Sequence, residues 1–268
     1  MPETPEVEWR RLRADQLREL ARQDAIVILP IAALEQHGPH LPVEVDSRLG
    51  EEVAVRTARK AVARGQATVV LPVLWTGISE HHMSFSGTIT LDFATFSAVV
   101  EGVVRSVLRD GFKRVVLLNA HGGNENALRT ITDDLTPKLG VPIVQFTYWY
   151  AAAVAIAKIL ETQGGLQHAC EAETSMMMAV RPELVAEDRI PLAKVNMTPD
   201  ISDVVGGGVY RWRAIGARSV LELGSAIGFA LLALALLPRA TRTLRLSDEP
   251  REAPATTPAG ESALPRTG

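Results

Sequence analysis

Apolar and polar positions follow two rhythms along this chain. Short, continuous aliphatic runs recur at 25–31, 67–72, 114–119 and 141–147. Runs of this length without alternation predict strands buried on both faces, as in parallel sheets. Between them lie longer stretches whose apolar residues return every three or four positions. These predict helices over 7–23, 47–64, 91–110 and 124–138, with Ser47 placed to cap the second. Strands alternating with helices at this spacing predict an α/β fold built on a largely parallel sheet covered on both faces. Right-handed crossovers would then line up all strand C-terminal ends along one edge, where ligands bind in open α/β sheets.

Beyond residue 150 the rhythm weakens. A helix near 171–181, a glycine-rich loop at 206–208 and a last helix near 222–237 are expected. Residues 1–246 read as one domain. From Ser247 onward the chain is rich in Pro, Ala, Thr and charge, so 247–268 is expected to be a disordered tail. Composition narrows the function classes. With 28 basic against 31 acidic residues among 268, the net charge is −3, and the global field that holds nucleic acid is absent. Cys170 is the single cysteine, which excludes an internal disulfide framework and a Cys-rich metal site, and fits a reducing compartment. Residues 1–24 hold no apolar core of a secretory signal. The longest apolar stretch, 226–238, falls short of the roughly 20 residues that span a bilayer. The expectation is a cytoplasmic protein with no membrane partner.

The candidate chemistry lies just after the predicted strands. All six histidines, His37, His40, His81, His82, His121 and His168, lie in or beside polar clusters. Glu35-Gln-His-Gly-Pro-His-Leu-Pro42, followed by Asp46, places carboxylate, imidazole and carboxylate close together, a donor set that zinc, manganese or iron accepts. Glu35 and His37, two apart, point the same way in an extended segment. The competing reading is a polar loop in which Asp46 caps the next helix. Asn119-Ala-His-Gly-Gly-Asn124 ends the third strand; its glycines permit close backbone approach to a ligand, or the segment is a tight turn with Asn124 as N-cap. His168-Ala-Cys-Glu-Ala-Glu-Thr-Ser175 offers a ligand and a proton-transfer group, or an acidic first turn that complements a helix dipole. No phosphate-binding loop, dinucleotide fingerprint or nucleophile elbow occurs.

Taken together, E-Q-H-G-P-H-L-P…D, N-x-H-G-G-N and H-A-x-E-x-E-T-S strongly resemble the creatininase (creatinine amidohydrolase) family. The resemblance runs from about Ala25 to Val185, and Ser86-Gly-Thr-Ile89 matches the family's F-x-G-T segment. It implies a three-layer α/β/α fold, a two-metal centre, hydrolysis of amide-type C–N bonds in a small molecule, and assembly into a homo-oligomer, commonly a hexamer. Carried over by position, Glu35, Asp46 and His121 match the ligands of one divalent metal. His37 and Asp46 match ligands of the other, with Asp46 bridging. The family's creatinine-hydrolysing enzyme has glutamate where Gly123 stands and an apolar residue where Glu171 stands. Glu171 is therefore expected as the fifth ligand, with Glu173 held for proton transfer and as the reserve ligand. That enzyme also has an aromatic residue at the position of Gly122 and a tryptophan near Gly164, while Trp149 matches another aromatic residue of its pocket. A substrate other than creatinine is expected, since other members remove formyl groups from pyrimidine-type intermediates or cleave a modified peptide. The expected chemistry is attack by a metal-bridging hydroxide, with His168 or Glu173 passing a proton to the leaving nitrogen. Two other readings stay open: a non-catalytic module binding a small anion at Gly122-Gly123, and a mononuclear metalloenzyme of other chemistry.

Overall fold

Strand β1 (Ile26–Ile31) is buried along its whole length and organises the fold. In the computed structural model, which describes residues 5–161 and 166–193, β1 pairs in parallel with β2 (Thr68–Val70) on one side and with β3 (Arg114–Asn119) on the other. β3 continues in parallel to β4 (Ile143–Thr147), giving the order β2-β1-β3-β4. In register, Ile31 lies beside Asn119 and Asn119 beside Thr147. The C-terminal ends of β1, β3 and β4 thus form one edge, and the order reverses between β1 and β3. Such a switch point opens a crevice where two loops leave the sheet in opposite directions.

Seven helices follow in chain order among the described residues: α1 (Ala14–Arg22), α2 (Val45–Ala63), α3 (Phe93–Arg109), α4 (Glu125–Leu139), α5 (Tyr148–Ala151), α6 (Ala153–Ala157) and α7 (Glu171–Val180). Alternate residues of the sheet supply its two cores. Ile26, Ile28, Val116 and Leu118 pack with α2 and with Met176 and Met177 of α7. Val27, Leu29, Val115 and Leu117 pack with α3 and α4. The result is the three-layer α/β/α arrangement. Each fully buried aliphatic side chain here stabilises the fold by about 1.5–3 kcal/mol.

Two expected boundaries move. Residues 7 and 8 are not helical: Val7 is buried, and its carbonyl accepts from the Val70 N–H at 2.8 Å. The exposed edge of β2 offers backbone groups that an early helix could not satisfy, so the segment extends along it, makes one 3-10 turn at Trp9–Arg11 and enters α1 only at Ala14. Helix α2 starts at Val45, and Ser47 does not cap it. Its hydroxyl instead donates towards the carbonyls of Ala33 and Trp75, at 3.1 and 3.2 Å, tying the loops after β1 and β2 to the helix. No helix among the described residues is long and apolar enough to cross a membrane. Gly164, the 206–208 loop, the helix near 222–237 and the 247–268 tail lie outside the described residues.

Candidate metal centre

The loops leaving β1 and β3 converge at the switch point. After β1, Gly38 takes a positive φ of 67°, which turns the chain back so that His37 pairs with Leu41 and the loop feeds α2. Asp46 thereby arrives in the first turn of α2 facing the strand ends. After β3, Asn119 brackets His121: its carbonyl oxygen accepts from the His121 N–H at 3.1 Å, and its amide donates to the His121 carbonyl at 2.8 Å. Asn124 holds the N-cap position of α4, but its side chain makes no capping bond. Its side chain accepts from Ile78 N–H at 2.8 Å and donates to the Ala32 carbonyl at 2.9 Å, locking three loops together. At Gly123 a Cβ would collide with the Ile78 carbonyl and the His121 ring, so no side chain fits there in this backbone.

Seven side chains meet in the crevice. Asp46 Oδ2 lies 2.9 Å from His121 Nδ1, and Asp46 Oδ1 lies 3.2 Å from His37 Nε2. Glu35 Oε1 lies 3.2 Å from His121 Nδ1 and 3.3 Å from His168 Nδ1. Glu173 Oε2 lies 3.8 Å from His37 Nε2. Ligand atoms of His37, Asp46 and Glu173 lie within 4.8 Å of one another, as do those of Glu35, His81 and His121, and those of Glu35, His37 and His168.

The outward nitrogens of two rings are already assigned partners. His37 Nδ1 donates to the Glu35 carbonyl at 3.1 Å, and His121 Nε2 donates to the Ile78 carbonyl at 3.0 Å. Each ring therefore turns its other nitrogen toward the carboxylates, where loss of its proton frees a lone pair for a cation, the arrangement that orients metal-binding imidazoles. Glu35 Oε2, His37 Nε2 and Asp46 Oδ2 are buried without a hydrogen bond of good geometry, and the last two have only their ion-pair neighbours nearby. Buried polar atoms seldom remain poorly paired, and His37 and Asp46 share one metal-sized space with Glu173. Electrostatics agree. Burial opposes charge on His121, but Asp46 and Glu35 beside it prevail and raise its pKa to about 10. His37 behaves the same way, its burial outweighed by Asp46 and Glu173. Burial opposes ionisation of Glu35 too, yet His121 and His168 hold its pKa below the ordinary carboxylate range. The pocket thus demands positive charge between its carboxylates and its imidazoles, and the mixed N/O donors suit a divalent cation.

The sequence signature of the Creatininase family, creatinine amidohydrolase, matches residues 10–227. The chain belongs to the creatininase family. Creatinine amidohydrolase of Pseudomonas putida is 32% identical over 201 residues, 69% of this chain and 74% of that one. The mycofactocin precursor peptide peptidase of Mycobacterium ulcerans is 31% identical over 168 residues, which span 61% of this chain and 62% of that relative. A solved creatininase mutant of Zn-Zn type superposes with a TM-score of 0.71 at 25% identity, covering 86% of this chain and 98% of that one. This chain is thus a creatininase-family amidohydrolase, with residues able to hold a divalent metal.

Of the residues expected at the centre of this creatininase-family chain, Glu35, His37, Asp46, His121, His168 and Glu173 are brought together, and Glu171 is not. The Glu171 carboxylate accepts from the Glu161 N–H at 2.9 Å and belongs to none of the metal-sized groups among the described residues. On one helix, residues two apart are turned about 200° from each other, so α7 can present only one of its two acids. Glu173 also receives the Cys170 N–H at 3.4 Å across the helix start. Cys170 is fully buried; burial, reinforced by the Glu173 charge, pushes its thiol up to about 12. Sequence reasoning gave no role to His81, His82 or Gln36. His81 stacks on His121, with ring centroids 5.6 Å apart and planes 9° apart. His82 Nε2 lies 3.8 Å from Glu35 Oε1. The available signal was the place of the two histidines in the loop that follows β2, and of Gln36 between Glu35 and His37 in the loop that follows β1.

Proposed function

We propose that this chain is a two-metal hydrolase that cleaves an amide-type C–N bond of a small molecule. The observation that carries the reading is Asp46, which offers one carboxylate oxygen to each of two histidines whose remaining nitrogens are committed elsewhere. One cation would be held by Glu35, Asp46 and His121, the other by His37, Asp46 and Glu173. Glu173 replaces Glu171 as the fifth ligand in this assignment, since its carboxylate shares a metal-sized space with His37 and Asp46. When bound, two divalent cations supply Lewis acidity to a carbonyl and acidify a water.

The chain's own residues do the rest. His121 and His37 are held in one tautomer by backbone carbonyls. His168, at the rim of the cluster and 14% exposed in its side chain, stands where a substrate's leaving nitrogen can receive a proton. The loop of Ser79 to His82 closes one wall, with Ser79 Oγ 3.2 Å from His121 Nε2. The open space at Gly122, where the creatinine-hydrolysing enzyme has an aromatic residue, favours a substrate other than creatinine. The reading includes a homo-oligomer, supported by the family likeness, and a cytoplasmic setting, supported by the single buried cysteine.

The test is metal analysis of the purified full chain alongside hydrolysis of creatinine, formamides and cyclic amides. The reading expects two divalent ions per chain and turnover abolished by chelation and restored by zinc or manganese. A chain that binds no metal, and hydrolyses none of these with zinc added, would overturn it.

A further inference from the structure

Gln36 stands between Glu35 and His37 but is not a ligand candidate, and its side chain makes three polar contacts. Its Oε1 accepts from the Gly38 N–H at 2.9 Å, which orients the amide. Its nitrogen then faces two imidazoles at once: His82 Nδ1 at 2.9 Å and His168 Nε2 at 3.0 Å. An amide NH2 carries two hydrogens and accepts none. Both ring nitrogens must therefore be acceptors, so in the neutral rings the hydrogens lie on His82 Nε2 and His168 Nδ1. Those two atoms face Glu35 Oε1, at 3.8 and 3.3 Å. Reversing the amide would set NH2 against the Gly38 N–H, donor against donor, so the alternative costs a hydrogen bond as well as both tautomers. The two rings also stack on each other, with centroids 4.2 Å apart, and the Gln36 N–H is anchored on Thr88 Oγ1 at 3.2 Å.

We infer that Gln36 is a positioning residue that sets the tautomers of His82 and His168, making both rings hydrogen donors toward the centre and denying them to a metal. The inference separates two readings that distance alone leaves equal. His168 Nδ1 is close enough to Glu35 and His37 to complete a metal-sized group, yet a nitrogen carrying hydrogen has no lone pair for a cation. Under this assignment His168 keeps a hydrogen directed at the carboxylate or at a substrate nitrogen that comes between them. The inference rests on the two-metal reading only for which residues count as ligands.

Its test reads the rings and not turnover. The zinc-loaded full chain, labelled with 15N-histidine, is measured by magic-angle-spinning NMR, with His82→Gln and His168→Gln used to assign the two rings. The expected spectrum has His82 Nδ1 and His168 Nε2 in the unprotonated class and their partner nitrogens in the protonated class. Gln36→Glu keeps the side-chain length and the Gly38 bond but offers only acceptors. It is expected to move both rings so that His82 Nδ1 and His168 Nε2 become protonated, with zinc content unchanged. An unprotonated or zinc-bound His168 Nδ1 in the parent chain would overturn the inference, as would rings unmoved by Gln36→Glu. If that variant does not fold, the parent spectrum decides alone. A chain that takes up no zinc would defeat the two-metal reading while the ring assignments still answer for Gln36.

Discussion

Two helices begin at the edge of the sheet with buried acids in their first turn, and they use them differently. Helix α2 carries one such acid, Asp46, and both of its oxygens face histidines, at 3.2 and 2.9 Å. Helix α7 carries two, Glu171 and Glu173, both buried. Only Glu173 faces the cluster; Glu171 satisfies the backbone N–H of Glu161. Both helix starts favour a carboxylate electrostatically, so charge does not distinguish them. Helical phase does. What α2 achieves with one residue, α7 divides between a residue turned to the centre and one that holds the chain leading into it.

The sharpest way to break this comparison is Asp46→Ala. Because each oxygen serves a different histidine, the variant is expected to lose both metals and fall to background hydrolysis, as read by metal analysis and assay. Retention of two metals with normal turnover would end the two-metal reading. Next comes Glu173→Gln, expected to lose about one metal per chain and nearly all activity, while leaving the Glu35, Asp46 and His121 site loaded. If metal were lost from Glu171→Gln instead, the phase argument would be reversed. Zinc binding tests the electrostatics of the α2 side. With its pKa raised to about 10, His121 is protonated near pH 7 and must lose that proton to bind a cation, and the carboxylates beside His37 favour its charged form in the same way. Proton release on binding is therefore expected at pH 7, about one per chain from His121 and more with the contribution of His37, with affinity rising as pH rises. Calorimetry in two buffers of different ionisation enthalpy measures this. Smallest is Glu171→Ala, expected to keep both metals and lower stability by about 0.5–1.5 kcal/mol for the hydrogen bond lost to the Glu161 N–H, measured by urea unfolding.

Much of the frame was legible in the chain because strand burial writes itself directly into composition. Ile26–Ile31 and Arg114–Asn119 are aliphatic runs that lie at the centre of the sheet. Glu35, His37 and His121 were also legible as candidates, since each follows a central strand within six residues and connection rules gather strand ends, and Asp46 because it opens the helix that the same loop enters. Where local pattern and tertiary pairing compete, the pattern misleads. Val7 fits a helical stripe, but the edge of β2 claims it. Ser47 has the chemistry of a cap, but two carbonyls from other loops claim its hydroxyl. Glu171 and Glu173 could not be ranked without the rotation of α7, which the starting residue of the helix fixes. Gln36 was invisible as a functional residue because its partners, His82 and His168, lie 46 and 132 positions away.

The lone thiol gives this centre a built-in clock. Cys170 sits at the first position before α7, beside the acid proposed to hold a cation, with none of its surface reachable by solvent. At a pKa near 12, only about one molecule in ten thousand would carry a thiolate at pH 8. A thiol reagent therefore cannot mark the native chain until the start of α7 opens, and the marking rate counts those openings. On the proposed assignment a bound cation would be the partner of Glu173, so stripping metal with a chelator is expected to quicken the count, while a labelling rate that ignores the metal would speak against Glu173 as its ligand.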